Sequence, residues 1–271
     1  MSIFESFPVA AGHASHLAPH LERLRRACAA HGFTCPPDAL AQIDPQLTQS
    51  GATGWARIYV TAGEGAPTDP ADGGEIFLFI EPRERTPCDA YQLVLAEETC
   101  HPIFGGAKTG NYWGNLHQLR RAQARGAHEA LLFNERAELV SACCANVFLV
   151  HNGIVRTPAL ECGARDGVIR EIVMRQVRVE ETFLFMRDVS SADEIFVTNS
   201  WIGVMPAGSI DGRTLPSHRV ATSFESLNFS HASSIVAPSP ALLSGSPAGD
   251  RGGISEDLQH GKDDRQSAPT E

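Results

Sequence analysis

A single lysine set among glycines is the residue of this chain best placed to do chemistry. Lys108 stands in Gly105-Gly106-Ala107-Lys108-Thr109-Gly110-Asn111-Tyr112. Glycines let a backbone approach a ligand closely. A lysine amine can attack a carbonyl and afterwards move a proton. A free lysine titrates near ~10.4, so it must be desolvated or sit beside another cation to act as a base at neutral pH. Taken alone, Lys108 also reads as a solvated loop lysine, which most lysines are. Asn146 follows 38 residues later in Cys143-Cys144-Ala145-Asn146-Val147-Phe148, and then comes Arg165-Asp166-Gly167-Val168-Ile169-Arg170. The last block opens a helical pattern, and a helix start offers unpaired amides and a positive dipole end to a phosphate. The run before Lys108 is not a phosphate-binding P-loop. That motif wants glycine directly before the lysine and again five positions earlier, where this chain has Ala107 and Pro102.

These three blocks, in this order and spacing, resemble the pyridoxal 5'-phosphate (PLP) enzymes of aminotransferase class IV. That family includes branched-chain aminotransferases, D-amino acid transaminases and 4-amino-4-deoxychorismate lyases. The resemblance covers roughly residues 3 to 213. It implies that Lys108 holds PLP as an internal aldimine and that Tyr112 touches the cofactor through its ring or phenolate. Gly167-Val168-Ile169-Arg170 resembles the family's Gly-Ile-Thr-Arg signature, with the amides of Val168 and Ile169 on the phosphate. Arg23, in His20-Leu21-Glu22-Arg23-Leu24, resembles the family's phosphate-binding arginine. Asn199-Ser200 resembles a second phosphate-side turn, with the Ser200 hydroxyl on the phosphate. Asn146 matches the asparagine of the family pattern.

The chain departs from the family where Ser141 replaces the glutamate usual five positions before Asn146. That carboxylate keeps the pyridine nitrogen protonated, and losing such a partner moves a pKa by roughly one to three units. A further departure is Ala62, where an arginine is usual. The family also normally carries more strand ahead of Phe4-Glu5-Ser6, so N-terminal strand is expected to be missing.

The implied fold is the two-domain, mixed α/β (α+β) fold of this family, resembling D-amino acid aminotransferase. Residues 1–104 form a small N-terminal α/β domain and 105–235 a larger PLP-binding domain, with the cofactor between them. The implied function is amino-group transfer on an amino acid, of the branched-chain aminotransferase kind. One alternative is 4-amino-4-deoxychorismate lyase activity, releasing pyruvate and 4-aminobenzoate. Another is a degenerate, non-catalytic member, suggested by Ser141 and Ala62. A homodimer is implied by the resemblance alone.

The elements that must position these residues are partly visible. Leu17, Leu21, Leu24 and Cys28 recur at helical spacing, which predicts a helix over 17–30 with Gly32 past its end. Residues 56–61 and 75–80 read as strands and 91–97 as another. A helix is expected over 116–125 with Gly126 as its stop, then strands at 129–133, 139–142 and 147–150. Asn152-Gly153 predicts a hairpin turn into Ile154. A helix over 167–176 and a strand over 195–198 follow. Ser239 to Glu271 is dense in Ser, Pro, Gly and Asp and predicts a disordered tail.

Bulk composition removes some classes. A net charge of −10 over 271 residues argues against a nucleic-acid partner, which needs a basic face. No apolar run approaches the ~20 residues of a membrane span. The seven cysteines show no C-x-x-C pair, which speaks against zinc and suits free thiols in a reducing cytoplasm.

Overall fold

The computed structural model describes residues 1–66 and 68–224. The expected tail, and the last residues of the expected second domain, lie outside them. The N-terminal part contains β1 (Ser2–Ala10), β2 (His13–Ala14), α1 (Leu17–Ala30), α2 (Pro37–Ala41), α3 (Ile43–Ser50), β3 (Gly54–Thr61) and β4 (Ile76–Glu81). Its strands form an antiparallel sheet in the order β2-β1-β3-β4.

Period-two alternation divides this sheet into a core face and a cavity face. Ile3 pairs with Val60 and Phe7 with Ala56, and these pack under Leu24, Cys28 and Leu47. Phe4 pairs with Tyr59 and Ser6 with Arg57, so these side chains look the other way, into the cavity. The helix α1 runs over the expected residues, and its inward stripe is His20, Arg23, Leu24 and Cys28. Two of those four are polar, and both meet Glu5 on the core face of β1.

The remainder contains β5 (Tyr91–Leu95), α4 (Trp113–Ala124), β6 (Glu129–Phe133), β7 (Leu139–Ala142), β8 (Asn146–His151) and β9 (Ile154–Pro158). After these come α5 (Val168–Gln176), β10 (Val179–Thr182), α6 (Met186–Ser191), β11 (Glu194–Asn199), β12 (Gly203–Ile210), β13 (Arg213–Thr214) and α7 (Arg219–Thr222). Among the described residues the strands make one nine-stranded mixed sheet, ordered β10-β9-β8-β11-β12-β5-β6-β7 with β13 on β12. The strand β5 belongs to this sheet, so the strands divide between β4 and β5, ahead of a boundary at 104.

The sheet has to curl. Five steps separate β8 from β7 along the hydrogen-bonded path, about 24 Å in an open sheet at ~4.8 Å per strand. Only Cys143, Cys144 and Ala145 connect them, and that link reaches at most about 14 Å. The curl buries Leu131, Leu139, Val147, Ile195 and Val197 in one core. It also brings the Cys143–Asn146 corner over the cavity.

Besides the short β2, β10 and β13, two strands were not expected from the sequence. The first is β1, whose apolar run is broken by Glu5. The second is β12, which runs through Pro206 beside an irregular register at Ala207 and Ser209. Proline normally argues against a central strand. Among the described residues no helix is long and apolar enough to cross a membrane.

Candidate active site

A cavity of about 1100 Å³ lies between the cavity face of the first sheet and the open side of the second. Lys108 enters it from the loop joining β5 to α4. On one of its edges β1 pairs with β2 only near Val9 and Ala10. The Ile3 end of that edge instead takes Thr109 as a bridge partner. The Phe4 amide donates to the Lys108 carbonyl at 2.8 Å, and the Gly110 amide to the Ser2 carbonyl at 2.8 Å. The lysine backbone is therefore tied to a buried strand although its loop is irregular.

The Lys108 side chain is held on three sides. Its Nζ donates to Ser6 Oγ at 2.9 Å and lies 5.3 Å from the Phe4 ring centre and 5.9 Å from that of Tyr112. Burial pushes its pKa down to about 7, helped by the Arg165 and Arg23 charges and opposed by Glu5. A sizeable fraction is thus a neutral, nucleophilic amine at neutral pH. Tyr112 is no phenolate. Burial raises its pKa well above the ordinary value, and its hydroxyl donates to the Cys143 carbonyl at 2.9 Å.

Arg23 stands at the edge of the cavity, and each of its three guanidinium nitrogens donates a hydrogen bond within the protein. Its Nε donates to Glu5 Oε1 at 2.9 Å, Nη2 to Glu5 Oε2 at 2.5 Å and Nη1 to the Asp166 carbonyl at 2.9 Å. Burial alone would raise the pKa of Glu5, yet Arg23 and His20 hold its carboxyl well below the usual range. His20 Nδ1 lies 2.9 Å from Glu5 Oε2 and its Nε2 3.0 Å from Ser200 Oγ. A carboxylate only accepts, so Nδ1 carries the proton. Burial holds the ring neutral, so Nε2 accepts from Ser200. A buried chain thus runs from Arg23 through Glu5 and His20 to Ser200, at the cavity wall.

Asn199 lines the cavity and shapes its turn. Its Oδ1 accepts from the amides of Trp201 at 2.8 Å and Ile202 at 2.9 Å, and its Nδ2 donates to the Cys144 carbonyl at 3.0 Å. Asn146 clamps the start of α5, donating from Nδ2 to the Arg165 carbonyl at 2.7 Å. A Cβ on Gly167 would lie 2.0 Å from Asn146 Oδ1, and one on Gly106 2.4 Å from Arg165 Cα. Only glycine lets these segments close on each other. Val168 and Ile169 begin α5 beyond Gly167, which supplies no side-chain cap, and both line the cavity.

Ser141 sits on β7 opposite Leu132 and lines the cavity without a carboxylate. Glu138, close by in sequence, does not stand in for one, because it is bound to Asn134 and Arg136 in the β6–β7 hairpin.

Sequence reasoning missed three further side chains on this cavity. Glu129, 4% exposed, takes the Cys144 amide on both oxygens at 3.2 Å, and burial pushes its pKa up to about 8. Arg165 donates from Nη2 to the Gly106 carbonyl at 2.9 Å, and burial brings its pKa down to about 10. Arg165 Nη1 and Thr198 Oγ1 are buried without a hydrogen-bond partner. Each depends on contacts across the fold, and no local pattern announces them.

Free donors, a glycine-lined helix start and a desolvated lysine together fit a ligand that carries both a phosphate and an aldehyde. Fold and site thus define an enzyme class that holds a small phosphorylated cofactor between two sheets beside a reactive amine. A family model described as amino-transferase class IV matches residues 2–210, and the chain belongs to that family. PLP is the family's cofactor, and Lys108, Asn146 and the start of α5 suit it.

Among relatives, a D-alanine aminotransferase of Listeria monocytogenes is 30% identical over 124 residues, 44% of this chain and 42% of that enzyme. The chain matches less than half the length of its first curated relatives, 41% and 34% of two of them. Among solved structures, 4-amino-4-deoxychorismate lyase from Pseudomonas aeruginosa superposes with a TM-score of 0.75 at 24% identity, over 83% of this chain and 88% of that one. A Brucella abortus aminotransferase bound to PLP gives 0.72 at 23%, over 83% and 87%. These superpositions show that the fold is shared.

Proposed function

We propose that this chain is a PLP-dependent enzyme that transfers the amino group of an amino acid, with Lys108 as its reactive amine. The observation that carries this reading is Lys108 Nζ, 2.9 Å from Ser6 Oγ and brought to about 7 by burial and the neighbouring cations. Bound PLP supplies an aldehyde for amine exchange and an electron-poor ring that draws electrons from the substrate Cα. Lys108 would hold the cofactor's aldehyde, and its Nζ would be the group that accepts and returns a proton beside the substrate Cα. Phe4, Tyr59 and Tyr112 wall that side of the cavity and exclude water. Asn146 clamps the helix start whose Val168 and Ile169 amides would hold the phosphate, and the His20–Ser200 pair orients one wall.

Ser141 lowers the electron demand of the ring, so turnover is expected to be slow for this class. The reading includes a homodimer, supported by Phe77 and Phe79, left 42% and 44% exposed on the cavity face of β4. It also includes a reducing cytoplasm, which suits seven free thiols.

Supplying amino acids with 2-oxoglutarate and following glutamate tests the proposal, with Lys108→Ala as the control. Glutamate formed by the parent chain and not by the variant is expected. Pyruvate from 4-amino-4-deoxychorismate in place of glutamate would reassign the chain to the lyases. A folded chain that yields neither product would make it a non-catalytic member.

A further inference from the structure

The buried relay from Glu5 ends on a hydroxyl at the cavity wall. Ser200 Oγ lies 3.0 Å from His20 Nε2, and His20 Nδ1 lies 2.9 Å from Glu5 Oε2. Serine, imidazole and carboxylate thus stand in the order and spacing of a hydrolytic triad. Such a triad is recognised by geometry and roles, not by sequence position. Its members here come from the turn after β11, from α1 and from β1.

Each member is in the state that acyl transfer needs. Glu5 is 2% exposed, and Arg23 keeps it ionised by donating to both of its oxygens. That charge fixes the proton on His20 Nδ1 and steadies an imidazolium when one forms. His20 is 0% exposed, with the Phe7 ring centre 5.2 Å away, so its ring is packed in place. Burial keeps the imidazole neutral, which leaves Nε2 able to take a proton.

Ser200 gives its single hydrogen to Nε2 and so turns lone pairs toward the cavity. Asn199 Oδ1 pins the turn by accepting from the Trp201 and Ile202 amides at 2.8 and 2.9 Å. The hydroxyl is therefore half-buried on a fixed corner, open to a ligand. Lys108 and Arg165 line the same cavity, and their charges favour the negative charge that develops on a carbonyl oxygen under attack.

We propose that Ser200, His20 and Glu5 form a second centre, one that hydrolyses small activated carboxylic esters. Ser200 Oγ bonds to the carbonyl carbon while its proton passes to His20 Nε2. The ester C–O bond then breaks, and the leaving oxygen takes that proton and departs as the alcohol. Water attacks the acyl-serine and gives a proton to Nε2. The carboxylic acid leaves as that proton returns to Ser200 Oγ. Ser200 and His20 are catalytic residues, and Glu5 is a positioning residue. The centre needs neither a cofactor nor the Lys108 amine as nucleophile, so it stands or falls apart from the proposed amino transfer.

Continuous release of p-nitrophenol from p-nitrophenyl acetate tests this. It is followed with the full chain after dialysis against hydroxylamine, which strips any carbonyl cofactor from a lysine. Acetylation of Lys108 consumes one equivalent and stops, so only sustained turnover counts. Turnover above the buffer rate is expected, and Ser200→Ala should lower it by about a hundredfold or more. A fluorophosphonate should label the peptide carrying Ser200, and His20→Gln should abolish that label. In Glu5→Gln the pH at which labelling levels off should fall, because the carboxylate raises the His20 pKa. A Glu5 that serves only the fold would leave that pH in place. If the two buried variants do not fold, Ser200→Ala and the labelled peptide decide the matter. No sustained turnover, turnover unchanged in Ser200→Ala, or a fluorophosphonate adduct only at other residues would overturn the proposal.

Discussion

Lys108 is costly to the fold for the same reason that it is useful. Its pKa of about 7 lies below the ~10.4 of an unfolded lysine, so between those values the unfolded chain binds the extra proton. Stability from this group therefore rises with pH across that window, and its penalty is complete below about pH 7. Lys108→Met is expected to raise the thermal midpoint at neutral pH, by a margin that shrinks as pH climbs toward 10. A midpoint lowered at every pH would show that the lysine is not desolvated. The rate of adduct formation with an aldehyde should rise with pH and level off above about 7. Arg165→Gln should move that inflection to higher pH, because a depressing cation has gone. Ser141→Glu restores a charge partner for the pyridine nitrogen. Each pKa unit regained is worth about tenfold, so steady-state turnover should increase by that order. No change in rate or PLP affinity would count against Ser141 as the equivalent position.

At the scale of elements, the strand β1 and the helix α1 are joined by a buried charge cluster rather than by apolar packing alone. Glu5→Gln would remove the charge opposite Arg23 and turn one acceptor oxygen facing Arg23 and His20 into an N–H donor, and breaking such a buried pair costs about 3–5 kcal/mol. Denaturant titration checks this. Glu5 titrates well below the usual carboxylate range, so its contribution is present above the unfolded value of about 4 and is lost as pH falls below that. Gly167→Ala would drive a Cβ to 2.0 Å from Asn146 Oδ1. A shifted start of α5 and a loss of about 1–3 kcal/mol are expected, with PLP affinity falling alongside. An unchanged midpoint would mean that Asn146 moves freely.

Elements written in local pattern were legible from the sequence. Those include the heptad-like stripe of α1, the Asn152-Gly153 turn and the strands β6 and β7. Elements defined by their neighbours were not. Residues 2–10 form a strand because β3 pairs with them along eight positions, and Gly203–Ile210 does so despite Pro206 because β11 and β5 flank it.

The whole molecule is organised by curvature. The curl of the large sheet carries the Cys143–Asn146 corner, the start of α5 and the Asn199–Ser200 turn to one mouth, facing the Phe4–Tyr59 side of the small sheet. Motifs separated by more than ninety residues, from Lys108 to Ser200, thereby share one cavity. Spacing in the sequence singled out Lys108, Asn146 and Gly167, since these sit in short blocks. It could not disclose Arg165, Thr198 and Glu129, whose roles arise only when three segments close on one another. Nor could it show that Glu5, eighteen residues away, holds Arg23. The central claim is that this convergence makes Lys108 the amine that takes the cofactor. Borohydride reduction of the chain incubated with PLP, followed by peptide mass mapping, tests it most directly. A pyridoxyl adduct on the peptide carrying Lys108, absent from Lys108→Ala, is the predicted result. A folded chain that takes up no adduct, or takes it up at another lysine, would contradict the account.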